Sequence, residues 1–380
     1  MSEAFEDESD WSSVIGLIDP RKSKLSIMLF AIPITLYFSM VAHNAAMSFL
    51  FSMLAIMPLA FLMGRATEEI AIRKSDAVGG LLNATFGNAA EMIIAVLAMY
   101  AAYKAGPGTE TSETMIGVVQ ASLIGSILGN LLLVLGLAFV WGGIHHRVQQ
   151  FSPTQVGANG SLLLLAVIAL TLPTTYELLG SNPDSVVQLS HMTAIVLLLS
   201  YGLFLLFQLR THQDLFAPDD EGGHHEEPTM TERQAMVLLI ASTVMVAWMA
   251  EILVHSIESA AEQWNLPTLF IGVILLPLFG NAAEHFTAVS VAGKNKMDLS
   301  FSIAVGSSTQ IAVFVAPFMV VLGWMSGVEL TFQFGAFETV ATFLAVLITN
   351  AIASDGKSNW LEGSMLLATY VILAMGFYLY

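Results

Sequence analysis

Two short stretches of the chain carry the same five residues in apolar surroundings, Gly87-Asn88-Ala89-Ala90-Glu91 and Gly280-Asn281-Ala282-Ala283-Glu284, each preceded by a phenylalanine. In both, Asn and Glu stand three residues apart and so share one face of a helix. Gly87 and Gly280 permit close packing or local unwinding just before them, and unwinding exposes backbone carbonyls. A carboxylate inside an apolar helix is costly and is normally retained for a task in the protein interior. If Glu91 and Glu284 meet, with the amide oxygens of Asn88 and Asn281 beside them, they form an anionic, all-oxygen cage that suits a hard divalent cation such as Ca2+. Thiolate-seeking metals find no ligand, because the chain has no cysteine.

One divalent ion would neutralise both carboxylates, and protons would compete with it for the same oxygens. That competition is the least an antiporter requires. His285 follows Glu284 whereas Met92 follows Glu91, so the second motif alone offers a proton relay; the other reading of His285 is a packing residue. Further oxygens come from Ser126 and Asn130, spaced i and i+4 on one helix, and from Ser307, Ser308 and Gln310, with Gln120 more distant. Gly125 and Gly306 are expected to let the helices bearing these residues approach closely. Ile311 stands where the first half has Asn130, so the charge of the site rests mainly on the two glutamates.

What positions such residues is a membrane fold. The chain has 380 residues, 56% hydrophobic and 11% charged, with a mean hydropathy of +0.72, well outside the range of soluble domains. Apolar runs of roughly 18 to 25 residues, each able to cross a hydrocarbon layer of about 30 Å as a helix, fill almost everything from Lys24 to Tyr380. The acidic leader before the first run predicts that this run is retained and not cleaved. The net charge of −17 argues against nucleic acid and anionic lipid as main partners.

Eleven spans are expected, the first centred on Ser26 to Met40 and the last on Met365 to Tyr380. With the N-terminus cytoplasmic, twelve of the thirteen Lys and Arg residues fall in cytoplasmic loops and only Lys104 outside, as positive-inside topology requires. The C-terminus is then external or lumenal. The duplicated motif lies within a longer repeat: Ala66 to Glu69 aligns with Ser259 to Glu262, and Ile124 to Asn130 with Val305 to Ile311. The expected fold is an all-α integral membrane protein with one extra N-terminal helix and two five-helix repeats. Five is odd, so the repeats are inverted, the plan of secondary transporters that hold substrate at the midplane. The units are a cytoplasmic leader (1–24), a first helix (25–42), a first repeat (43–210), an acidic cytoplasmic linker (211–232) and a second repeat (233–380).

Other polar features read more plainly. Glu251, His255, Glu258 and Glu262 share one helix face, a cation vestibule or a solvated surface. Glu338 near the start of the tenth span is buried or interfacial. The acidic linker reads as a flexible loop. A passive cation channel would use the same residues without coupling. A metal enzyme is disfavoured, because no HExxH pair is present.

The paired "GNAAE" motifs, "GNAAEH" in the second half, "QASLIGSILGN" and "AVGSSTQIA" together resemble the calcium/proton exchanger family of the cation/calcium antiporter superfamily. The resemblance runs from about Lys24 to the end. It implies Glu91 and Glu284 as central cation and proton ligands, with Asn88, Asn281, Ser126, Ser307 and Gln310 around them, His285 close by, and Asn83 and Gln120 as weaker matches. It implies Ca2+ as transported substrate with no cofactor, a Mn2+-transporting or Na+-driven relative as the alternative, and a homo-oligomer such as a trimer. The compact, cysteine-free chain suggests a prokaryotic cell membrane.

Overall fold

A computed structural model describes residues 11–21, 24–74, 79, 82, 85–212 and 228–380. Besides a 3-10 turn at Lys24–Phe30, the following helices succeed one another among them. They are α1 (Ser12–Ile18), α2 (Ala31–Met40), α3 (Ala45–Ala71), α4 (Ala89–Ala105), α5 (Glu110–His145), α6 (Pro153–Leu178), α7 (Pro183–Thr211), α8 (Glu232–Trp264), α9 (Thr268–Gly280), α10 (Ala282–Gly293), α11 (Met297–Ser326), α12 (Ala336–Ala353) and α13 (Trp360–Leu379). Two short strands, β1 (Gln149–Gln150) and β2 (Lys357–Ser358), pair antiparallel.

Eight of these helices are long and apolar enough to cross a membrane, and the pair α9 and α10 makes a ninth if taken as one span bent by 59°. The count of eleven expected from the sequence also includes the shorter apolar helix Leu25–Met40 and the third stretch. The start of that stretch, with Asn83, lies outside the described residues, as do the leader through Asp10 and the core of the acidic linker.

Helix starts are set locally. Asn44, Thr109, Ser152 and Asn182 each accept a hydrogen bond from the backbone amide two or three residues on, which satisfies a donor that no helical carbonyl reaches. Thr231 with Gln234 and Asn359 with Glu362 form full capping boxes. α5 is the most enclosed span, 83% of its apolar window being buried, whereas α7 and α13 are only 17% buried; α5 is therefore central and the other two peripheral. α3 and α8 pack along each other. At one end they are tied together: the buried Glu69 carboxylate accepts the Thr229 amide at 3.0 Å, Arg73 donates to the Met230 carbonyl, and Lys74 meets Glu232 at 2.6 Å.

Small residues set the closest approach. A Cβ on Gly125 of α5 would lie 2.1 Å from the Val273 carbonyl oxygen of α9. Pro277 cannot supply the amide that an α-helix would direct at that carbonyl, so the helices cross where α9 departs from regular bonding. Gly272 likewise leaves room for Ala121, whose Cβ is 2.5 Å from the Cβ position. Gly306 differs from the expectation: among the described residues no neighbouring helix stands within 4 Å of its Cβ position, because it faces a cavity.

Candidate functional site

Both motifs break their helices. Gly87 and Asn88 form a turn before α4, and Asn281 separates α9 from α10. Asn88 (φ −101°, ψ 22°) and Asn281 (φ −94°, ψ 8°) adopt nearly the same backbone conformation, in the bridge region that active-site residues often occupy. Each glutamate thereby falls in the first turn of the helix that follows, where helix dipoles favour negative charge. The carbonyls of Asn88 and Asn281 are taken up by the amides of Met92 and His285 at 3.1 and 3.0 Å. At these two positions the backbone carbonyl is thus already engaged within the helix that follows.

The asparagines exchange partners between the halves. Asn281 Nδ2 donates to Ser126 Oγ at 3.2 Å, while Ser307 Oγ donates to Asn88 Oδ1 at 2.9 Å. Asn88 Nδ2 donates to Gln310 Oε1 at 2.9 Å, and Asn130 Nδ2 donates to Ser307 Oγ at 3.0 Å. Asn88, Asn281, Ser126, Asn130 and Ser307 are all buried. A Cβ on Gly280 would lie 3.8 Å from Glu91 Oε1, so the glycine of the second motif faces the carboxylate of the first.

The Ser307 hydroxyl also lies against the Glu284 carboxylate. It has one proton to donate and two acceptors, Asn88 and Glu284. Ser307 therefore touches the acidic residue of the second motif while its bond goes to the asparagine of the first.

Oε1 of Glu91, Oε2 of Glu284, Oδ1 of Asn281 and Nε2 of His285 are buried without a hydrogen-bond partner among the described residues. Three are acceptor oxygens from the two motifs, and buried acceptors left unpaired are the exception in folded proteins. Among the described residues no group of three or more His, Asp or Glu side chains stands at metal-binding distance.

A cavity of about 460 Å3 reaches the site from one side, its walls including Gly87, Gly280, Asn281, Glu284, Ser307 and Gln310. Towards its other end stand Arg65 and Glu68, which pair with each other, and Gln208. Glu284 lines the cavity and Glu91 does not. Just beyond the serines, α5 and α11 each widen into a π-helical turn, at Gly129–Val134 and Ile311–Val315, a local irregularity frequent at functional sites.

Several candidate oxygens lie elsewhere. Ser308 turns back to the Ala304 carbonyl of its own helix at 3.1 Å. Gln120 donates to the carbonyls of Thr331 and Gln333 at 2.9 and 3.1 Å. Glu338 is buried but accepts the Gly335 amide at 2.6 Å, capping α12. Glu251, His255 and Glu262 are exposed and Glu258 half-buried. Sequence reasoning missed the Asn130–Ser307 bond, although the motif "GSILGN" held both polar positions of α5.

Helices broken at paired acidic motifs, around a polar centre open to one side, define a membrane transport protein. The family model described as sodium/calcium exchanger protein matches the chain twice, over residues 44–210 and 234–379, and the chain belongs to that family. It is 46% identical over 370 residues to a Ca(2+)/H(+) antiporter of Aphanothece halophytica, covering 92% of this chain and 95% of that one. It is 44% identical over 375 residues to a Ca(2+)/H(+) antiporter of Synechocystis, covering 94% and 98%. The solved structure of native YfkE, 39% identical, superimposes with a TM-score of 0.79 over 94% of this chain and 100% of that one.

Proposed function

We propose that this protein is a secondary active antiporter that exchanges cytosolic Ca2+ for external or lumenal H+, with Glu91 and Glu284 binding Ca2+ or protons in turn. The observation that carries this reading is the exchange of partners between the halves, Asn88 with Ser307 and Asn281 with Ser126, beside Oε1 of Glu91, Oε2 of Glu284 and Oδ1 of Asn281, which are buried with no hydrogen-bond partner among the described residues. The names of the similar antiporters support the choice of ions. Asn88, Asn281, Ser126, Ser307 and Gln310 complete the oxygen set around the carboxylates, Gly87 and Gly280 leave the space between them, and His285 beside Glu284 passes protons.

Eleven spans in two inverted five-helix units, preceded by one extra helix, best accommodate the fold. The double match of the family model, the matching helix breaks and the matching π-turns support this plan. The cavity shares the end of the molecule that carries Arg65 and Arg210, the side that positive-inside topology makes cytoplasmic. In this reading the site faces the cytoplasm and the C-terminus lies external or lumenal. Two carboxylates that must lose protons to take Ca2+ make binding weaken as pH falls. The apparent dissociation constant for Ca2+, measured by titration of detergent-solubilised protein, is expected to rise by about ten- to a hundredfold per unit of acidification, one factor of ten for each competing proton. Affinity that ignores pH and falls with added Na+ would overturn proton exchange in favour of sodium exchange.

A further inference from the structure

The chain between α11 and α12 is neither helix nor strand, yet most of residues 328–335 are buried, with Glu329, Gln333 and Gly335 exposed. Val328, Leu330, Thr331, Phe332 and Phe334 are all nearly inaccessible. A buried extended segment must satisfy its backbone from outside itself, and here three helices do so with side chains. Gln120 of α5 donates to the carbonyls of Thr331 and Gln333. Thr174 of α6 accepts the Phe334 amide at 2.9 Å and stands within hydrogen-bond distance of the Phe332 and Phe334 carbonyls. Ser190 of α7 accepts the Phe332 amide at 3.2 Å. Glu338 fastens the end of the segment through Gly335.

The position of this segment relative to the cavity is fixed by the helices they share. On α6 the cavity takes Gln155 and Asn159 and the segment takes Thr174, about 22 Å apart along the axis at 1.5 Å per residue between Asn159 and Thr174. On α7 the cavity takes Tyr201 and residues beyond, the segment Ser190. On α11 the cavity lies towards the start and the segment follows the end. Cavity and segment therefore occupy opposite ends of the molecule. Gln120 lies six residues from Ser126 on α5, about 9 Å along the axis, so the segment lies beyond the site on the side away from the cavity.

We infer that residues 328–335 are the barrier that seals the site on its closed side, and that Gln120, Thr174 and Ser190 are positioning residues which must release it for the site to open there. This rests on the transport reading of the site. A short segment held by side-chain hydrogen bonds can leave as a unit without unravelling a helix, which suits a part that alternates between two arrangements.

The chain has no cysteine, so introduced thiols act alone. Thr174 Oγ1 lies 2.9 Å from the Phe334 amide nitrogen, a contact that holds the two Cα atoms within about 7 Å, the upper end of the range that a disulfide spans. In vesicles, the oxidised T174C/F334C protein is expected to lose Ca2+ flux by more than about tenfold, recover it on reduction, and still bind Ca2+ in detergent with unchanged affinity. Flux that persists when the pair is cross-linked, failure of the pair to cross-link, or loss of Ca2+ binding together with flux would each overturn the barrier. Unsubstituted protein that binds Ca2+ but moves it without proton coupling would instead count against the antiport reading alone. As a second variant, Gln120→Ala is expected to raise the reaction of a Phe332→Cys reporter with an impermeant maleimide from the closed side by about tenfold, with Ca2+ affinity unchanged. Equal reactivity with and without Gln120 would remove that residue from the barrier.

Discussion

The two halves of the molecule carry the same chemistry in different packing. In the first half, α5 brings Ser126 to the site with Gly125 pressed against the Val273 carbonyl. In the second, α11 brings Ser307 to the site with Gly306 facing open space. One glycine is closed over and its counterpart is not, although the motifs "IGS" and "VGS" are alike. Glu284 lines the cavity accordingly and Glu91 does not. The difference teaches that similar sequences need not have similar surroundings at one moment, and a transporter that alternates must have two arrangements of the same contacts. In our account α11 packs in the other state as α5 packs here, and Gly306 then meets a neighbour.

The comparison can be broken first at the residues that the halves share. Glu91→Gln and Glu284→Gln each keep shape and remove one charge from a site that must balance a divalent ion. Each is expected to abolish coupled exchange and to weaken Ca2+ binding by roughly 2–5 kcal/mol, read by titration and by vesicle flux with the protein still folded. Near-normal exchange by either variant would show that the halves do not contribute a carboxylate apiece.

The two glycines sharpen it next. Gly125→Ala places a methyl group on the Val273 carbonyl and is expected to destabilise the protein by roughly 1–3 kcal/mol or more, visible as a lowered thermal midpoint in detergent. Gly306→Ala meets nothing in this conformation, and its stability is expected to hold or to rise by up to about 1 kcal/mol from helix propensity. Its exchange rate is nevertheless expected to fall about tenfold, or about 1.4 kcal/mol on the barrier, because the other arrangement has less room. If both alanine variants behave alike in stability and rate, the asymmetry between the halves is not functional.

Much of this was legible in the sequence because it depends on local rules. The repeated "GNAAE" displays its glutamates by type and spacing, and apolar length predicts the long spans individually. The sequence could not show that Asn88 reaches across to Ser307 and not to a serine of its own half, since such pairings depend on how helices cross. Nor could it tell Gly125 from Gly306, or Ser307 from Ser308, whose neighbouring positions on one helix point to different surroundings. Gln120 looked like a distant ligand because an amide in an apolar helix has several uses; its partners are carbonyls in a segment more than two hundred residues away. The buried segment at 328–335 had no periodic pattern to announce it.

The central claim is that one site holds Ca2+ and protons alternately. The most direct measurement is Ca2+ flux in reconstituted vesicles with an imposed pH gradient and no Na+, with vesicle pH recorded at the same time. The account requires that a proton gradient alone drives Ca2+ against its own gradient, with protons moving the opposite way and both movements lost in Glu284→Gln. Ca2+ movement that needs Na+, or that only runs down its own gradient whatever the pH difference, would contradict it.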